Sequence, residues 1–259
     1  MTSPEKLLRE LIALPSVNPA FASPKDSRSG EKNVADFLAA ISAQAGLPVE
    51  FQKVCAGRAN FITRFQPGGK ITKRILLAPH LDTVPAAHEK QFSPVKKNGR
   101  IYGRGACDTK GSVAAMLTAL IALSQSPQRP KQTEIIFAGL IDEEDAQRGS
   151  RALAASGLKA DLAIVGEPTE LKIVTAHKGN LWLRLETHGK AAHGSTPHLG
   201  KNAVHEMARV VDLIETTYAA KLCHRKHPLL GHATISVGTI SGGTQANVVP
   251  DKCVITADR

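Results

Sequence analysis

The run ILLAPHLDTVP sets a histidine and an aspartate, His80 and Asp82, two residues apart where an apolar segment gives way to a loop. A histidine at a strand end is by itself commonplace, so its meaning depends on the rest of the chain. Two further apolar runs end in metal-ligand types. IIFAGLIDEED supplies Asp142, Glu143, Glu144 and Asp145, and DLAIVGEPTE supplies Glu167. Asp108, in YGRGACDTKG, stands just ahead of a long helical pattern. Singly, such acids cap helices or populate loops. In open α/β sheets, however, functional groups gather at the carboxyl ends of strands, so these placements are expected to converge.

One imidazole with several carboxylates and no thiolate suits zinc or cobalt in a catalytic site better than a structural zinc. In an extended segment residues two apart point the same way, so Asp82 can approach the far nitrogen of His80 and fix its tautomer. Adjacent residues point to opposite sides. Glu143 and Glu144 can therefore divide their work, one binding metal and the other serving water as general base. Residue types alone leave open which does which. Asp108 is of a type that bridges two cations, held ~3.5–4 Å apart in two-metal hydrolytic sites. Other signatures fail. GACDTKGS lacks the GxxxxGK order of a phosphate loop, His205–Arg209 (HEMAR) is half of HExxH, and no GxSxG occurs.

The elements that must position these groups are legible in outline. Thr2 and Glu5 are expected to form a capping box ahead of a helix with Leu7, Leu8, Leu11 and Ile12 on one face. Gly30–Gly46 repeats that periodicity through Val34, Phe37, Leu38 and Ile41. Strand-type runs follow at Ile75–Ala78, Ile135–Ile141 and Leu162–Val165, with a helix from near Thr109 to about Leu123 between the first two. Alternating strands and helices indicate an α/β domain with a largely parallel sheet flanked by helices, assigned to residues 1–177. After Lys178 the pattern changes. LWLRLET alternates, a helix is expected over about 202–219, and ATISVGTI and CVITAD flank the Gly-rich SGGTQANVVP. Residues 178–259 thus read as a small α+β sandwich without its last helix and strand. The chain stops at Arg259 inside an apparent strand, so a fragment of a longer protein is expected.

Composition bounds the remaining possibilities. With 259 residues, 42 % apolar and 22 % charged, the chain has the make-up of a globular protein with ample core. The start, MTSPEKLLRELIAL, lacks a signal pattern, and Val113–Leu123 is too short to span a bilayer. A cytoplasmic protein is expected. Cys55, Cys107, Cys223 and Cys253 form no CxxC pair and are expected mostly as small buried residues. The net charge of +10 comes from scattered Lys and Arg with few aromatics, which reads as solvated surface rather than a nucleic-acid face.

In their order and intervals, HLDTVP, YGRGACDTKG, DEE and GEPTE resemble the co-catalytic zinc deacylases and exopeptidases. That family includes acetylornithine deacetylase, succinyl-diaminopimelate desuccinylase, carboxypeptidase G and the aminoacylases. The resemblance covers nearly the whole chain. It implies a zinc-exopeptidase-like fold with an inserted ferredoxin-like lid and dimerisation domain, incomplete here, and two divalent metals, zinc or else cobalt or manganese. His80 and Glu167 would bind the first metal and Glu144 the second, with Asp108 bridging them, often through a cis peptide to Thr109. Asp82 would orient His80, and Glu143 would be the general base. His193, in GKAAHGSTPHLG, matches a histidine that in relatives reaches the partner subunit's active site and stabilises the oxyanion. Asn247 matches a lid asparagine that contacts substrate, whereas His188 and His198 read as surface residues.

The expected activity is removal of an N-acyl group from an amino acid in a homodimer, without nucleic acid or membrane. GEPTELKIVTAHKG leans toward the deacetylase or its desuccinylase cousin. A dipeptidase or carboxypeptidase, or a catalytically incomplete metal-binding fragment, are the alternatives. Two departures stand out. The family's second metal takes a further histidine, expected beyond residue 259. Arg259 also follows Asp258 directly, one position earlier than the family's substrate-gripping arginine.

Overall fold

The computed structural model describes residues 3–23 and 26–259. These fall into two compact units, Met1–Leu171 and Lys172–Arg259. The first contains α1 (Pro4–Ile12), α2 (Lys32–Gln44), β1 (Val49–Cys55), β2 (Arg58–Phe65), β3 (Lys73–Leu77), the small hairpin β4 (Val95–Lys97) and β5 (Arg100–Tyr102), α3 (Lys110–Gln125), β6 (Thr133–Gly139), α4 (Arg148–Ala155) and β7 (Leu162–Ile164).

Helix α1 starts where Ser3 accepts the Lys6 N–H on its side chain (3.2 Å) and Pro4 needs no donor partner. Thr2, half of the expected capping box, lies outside the described residues. Leu7, Leu11 and Ile12 are buried on one face, as their spacing requires.

Five strands form one sheet in the order β1-β2-β6-β3-β7. The α/β expectation holds, but the sheet is mixed rather than largely parallel. β3 runs parallel to both β6 and β7, whereas β1, β2 and β6 pair antiparallel. The difference arises from the β1–β2 hairpin, whose turn contains Gly57 at φ +71°, a conformation other residues rarely adopt. A two-stranded hairpin can only enter a sheet as an antiparallel pair. Adjacent residues then serve opposite faces. Phe61 and Phe137 enter the core built with α1, α2 and α3, while Ile62, Ile136 and Ala138 pack with Leu153 of α4. β7 is an outer strand, and Leu162 and Ile164 remain exposed on it.

Lys110 opens α3 from a fully buried position. Its Nζ donates to the Leu11 and Leu14 carbonyls (2.9 and 2.7 Å), serving acceptors at the end of α1. Burial lowers its pKa from 10.5 to about 7. Below pH 7 the ammonium is charged in folded and unfolded chains alike. Between 7 and 10.5 the unfolded chain binds more protons, so stability rises with pH there. The urea midpoint of the native protein should therefore gain on that of Lys110→Met across this window. A constant gap would show that buried Lys110 keeps its proton.

The second unit contains β8 (Trp182–His188), α5 (Ala203–Leu213), a π-turn (Ile214–Tyr218), α6 (Ala219–Cys223), the short hairpin β9 (Lys226–His227) and β10 (Gly231–His232), β11 (Ser236–Gly242) and β12 (Lys252–Asp258). β12 lies between β11 and β8, antiparallel to both. Asn202 caps α5 by accepting the Val204 and His205 N–H groups. Ala203 and Met207 pack on Cys253 and Ile255. Of the four cysteines only Cys253 is buried. Cys107 and Cys223 are exposed, correcting the expectation of mostly buried thiols, because Cys107 belongs to the loop that presents Asp108 and Cys223 ends a short helix. Among the described residues no helix is long and apolar enough to cross a membrane.

Candidate metal centre

The centre begins where β3 and β6 run out together. Their parallel pairing continues beyond the named strands, with Leu140 N–H donating to the Pro79 carbonyl and Leu81 N–H to the Leu140 carbonyl. That alternation turns Leu81 into the core and leaves His80 and Asp82 beside the Asp142–Glu144 turn. Two further segments close on the same point. Thr109 Oγ1 donates to the Gly166 carbonyl and so ties the Asp108 loop to the segment bearing Glu167. Gly166 lies so near α3 that a Cβ there would stand 2.5 Å from Ser112 Cβ, which explains a glycine just ahead of Glu167. The Asp108–Thr109 peptide is cis.

His80 is 2 % exposed. Its Nδ1 lies 3.0 Å from the backbone oxygen of Asp82 and 3.5 Å from the Asp82 carboxylate. The backbone oxygen is the nearer acceptor for an Nδ1 proton, which leaves Nε2 to face the cluster. From Nε2, Asp108 Oδ1 is 2.9 Å away, and carboxylate oxygens of Glu143 and Glu167 are each 4.0 Å away. His80, Glu143 and Glu144 offer ligand atoms within 4.8 Å of one another, as do His80, Asp108 and Glu167. One imidazole shared by two carboxylate pairs is a donor set that fits divalent cations.

Burial and the neighbouring charges together govern protonation here. Burial alone would lower the His80 pKa, but hydrogen bonds to Asp108 and Asp82 and their negative surroundings raise it to about 11. Burial raises Glu167 to about 7, with His80 opposing and the Glu143, Asp108 and Glu144 charges adding to the rise. Burial also raises Glu143 and Glu144. Asp82 moves the other way. Although burial disfavours its charge, His80, Asn18 and the Glu144 N–H hold its carboxyl below the usual range.

Asp142 and Asp145, the other acids of the strand-end run, are not in either ligand group. Asp142 is fully buried and turns toward Arg58, and Asp145 lies 3.9 Å from Arg148. His193 and Asn247 belong to the second unit. The exposed His193 places Nδ1 2.7 Å from Ser195 Oγ, and its neighbour Gly194 donates to the Asn247 carbonyl (2.7 Å), so the two segments lie side by side. His188 and His198 are exposed. Arg259 stacks over the Tyr218 ring at 5.9 Å.

The residues missed from sequence are Asn18, Glu31 and Arg58, which hold Asp82 and Asp142 from behind. Their separation along the chain, up to 124 positions, leaves no periodicity or motif to find them by.

Comparison with known proteins agrees with this geometry. The profile described as Peptidase family M20/M25/M40 matches residues 76–255, which include every member of both ligand groups. The chain belongs to this family. A Peptidase M20 domain-containing protein of Schizosaccharomyces pombe is 36 % identical over 226 residues, covering 85 % of this chain and 53 % of that protein. The acetylornithine deacetylase of Proteus mirabilis is 30 % identical over 264 residues, covering 98 % and 65 %. The chain thus spans about half to two thirds of these relatives' lengths. In fold it is similar to an M20 family metallo-carboxypeptidase from Sulfolobus solfataricus, with a TM-score of 0.76, 20 % identity, and coverage of 100 % of this chain and 71 % of the other. The family is metal-dependent, in keeping with the cluster around His80.

Proposed function

We propose that this protein is a two-metal amide hydrolase that removes the acyl group from an N-acyl amino acid. The observation that carries this reading is the convergence of His80, Asp108, Glu143, Glu144 and Glu167 at the ends of separate chain segments in a family of amide hydrolases. His80 and Glu167 would hold one divalent ion, Glu144 the other, and Asp108 both. Such ions, zinc by preference, supply Lewis acidity toward the amide carbonyl and make water a stronger acid. Glu143 accepts a proton from the attacking water as its oxygen bonds to the carbonyl carbon. It then passes that proton to the leaving nitrogen, so that the C–N bond breaks into a carboxylate and a free amine. Asp82 keeps the His80 ring in place.

The second unit acts as a lid and dimerisation domain in this reading, with His193 donating to the oxyanion in a partner subunit and Asn247 contacting substrate. The 30 % identity to a deacetylase supports the N-acyl class, and in this reading the protein works in the cytoplasm. The test is a substrate panel with added zinc, cobalt or manganese. N-acetylornithine and N-succinyl-diaminopimelate are expected to release amine faster than any dipeptide. A preference for dipeptides or C-terminal residues would replace this reading by the peptidase one, and failure to bind any of the three metals would remove the metal centre.

A further inference from the structure

Behind the metal centre lies a chain of largely buried polar groups that belongs to neither ligand group. Arg58, only 13 % exposed at its side chain, grips Glu31 with two contacts (Nε–Oε2 3.0 Å, Nη2–Oε1 2.5 Å) and donates from Nη1 to Asp142 Oδ1 at 2.8 Å. Glu31 Oε1 in turn accepts the Asp142 N–H at 3.2 Å. Asn18, with no exposed surface, donates to Asp82 Oδ2 at 2.7 Å and to Asp142 Oδ1 at 3.2 Å. Asp82 then accepts the Glu143 N–H on Oδ1 (3.0 Å) and the Glu144 N–H on Oδ2 (3.1 Å).

The backbone explains why such a clamp is needed. Asp142 sits at φ +67°, a left-handed conformation that a residue with a Cβ holds only when its surroundings impose it. The turn beginning at Asp142 aims Glu143 and Glu144 at the cluster. Three buried carboxylates, Glu31, Asp82 and Asp142, would repel one another without a buried cation among them. Arg58 is a fork that neutralises two of them at once, which a lysine point charge cannot reproduce.

We infer that Asn18 and Arg58 are positioning residues, acting through Asp82 and Asp142 to fix where the general base and the second-metal carboxylate point. This rests on the metal-centre reading, so the test has a part that does not. In metal-free protein, hydrogen exchange at the Glu143 and Glu144 amides should speed up by at least about tenfold in Asn18→Leu. Cobalt affinity, measured by calorimetry, should fall about 10–100-fold in Asn18→Leu and in Arg58→Lys. Leu120→Ala, a core change outside the network, should lower the melting temperature while leaving cobalt affinity unchanged. If Asn18→Leu does not fold, Arg58→Lys carries both measurements. Unchanged amide exchange, or an equal loss of affinity in Leu120→Ala, overturns the inference. Faster exchange in a protein that binds no cobalt supports the clamp while removing the metal-centre reading.

Discussion

Glu143→Gln is expected to lower kcat for N-acyl amino acid hydrolysis by about 10²–10⁴-fold, the usual worth of a general base, while metal uptake stays intact. Glutamine keeps the shape of the side chain and an acceptor oxygen but cannot hold the transferred proton. Position supports this role. Glu143 Oε2 stands 4.0 Å from His80 Nε2 and its side chain is 41 % exposed, so it borders the cluster and remains open to water and substrate. Its pKa is raised, by burial first, with the Asp82 and Asp108 charges adding to the rise and His80 opposing it. A raised carboxylate pKa makes a stronger base when ionised. Glu144→Gln should behave differently, losing affinity for the second ion along with activity. The pair of variants therefore assigns the two adjacent glutamates. Near-normal turnover in Glu143→Gln with metal bound would end the general-base assignment, and equal metal loss in both would show that the turn does not separate their roles.

How much of this centre was legible in the sequence follows from what kind of signal each part leaves. Apolar runs ending in ligand types were enough to mark β3, β6 and β7 and the groups His80, Glu143, Glu144 and Glu167. In the β1–β2 hairpin the edge strand β1 carries charged residues and little buried surface, so its hydrophobic pattern is weak and does not mark the hairpin in the sequence. That hairpin delivers Arg58, and without it the burial of Asp142 cannot be anticipated. Asp142 was legible as one more acid at a strand end. Only the fold shows that it faces away from the cluster while its two neighbours face in. The orienting partner of His80 is likewise more local than expected. Residue spacing pointed to the Asp82 carboxylate, but its backbone oxygen is nearer to Nδ1, and the carboxylate is taken by the Glu143 and Glu144 amides.

Metal affinity should climb steeply with pH, by about 10²–10⁴-fold between pH 5 and 7. The direction follows from which groups carry protons before a cation arrives. His80, raised to about 11, is protonated throughout this window and must lose that proton before Nε2 can bind metal. This alone gives about tenfold per pH unit. Glu167, raised to about 7, is largely protonated at the lower end and releases a second proton there, an increment that fades as pH approaches 7. Asp82, held below the usual carboxylate range, adds nothing because it is ionised throughout. Calorimetry in two buffers of different ionisation enthalpy counts these protons directly. Between one and two should be released per zinc bound near pH 6, and fewer near pH 8. His80→Gln removes one of them and should flatten the pH dependence as well as weaken binding. A pH-independent affinity in the native protein would mean that His80 already presents a bare Nε2 toward Asp108, 2.9 Å away. The same exchange of protons for cations explains how four carboxylates can be gathered around one histidine. Raised pKa values relieve part of their repulsion, and divalent ions would relieve the rest.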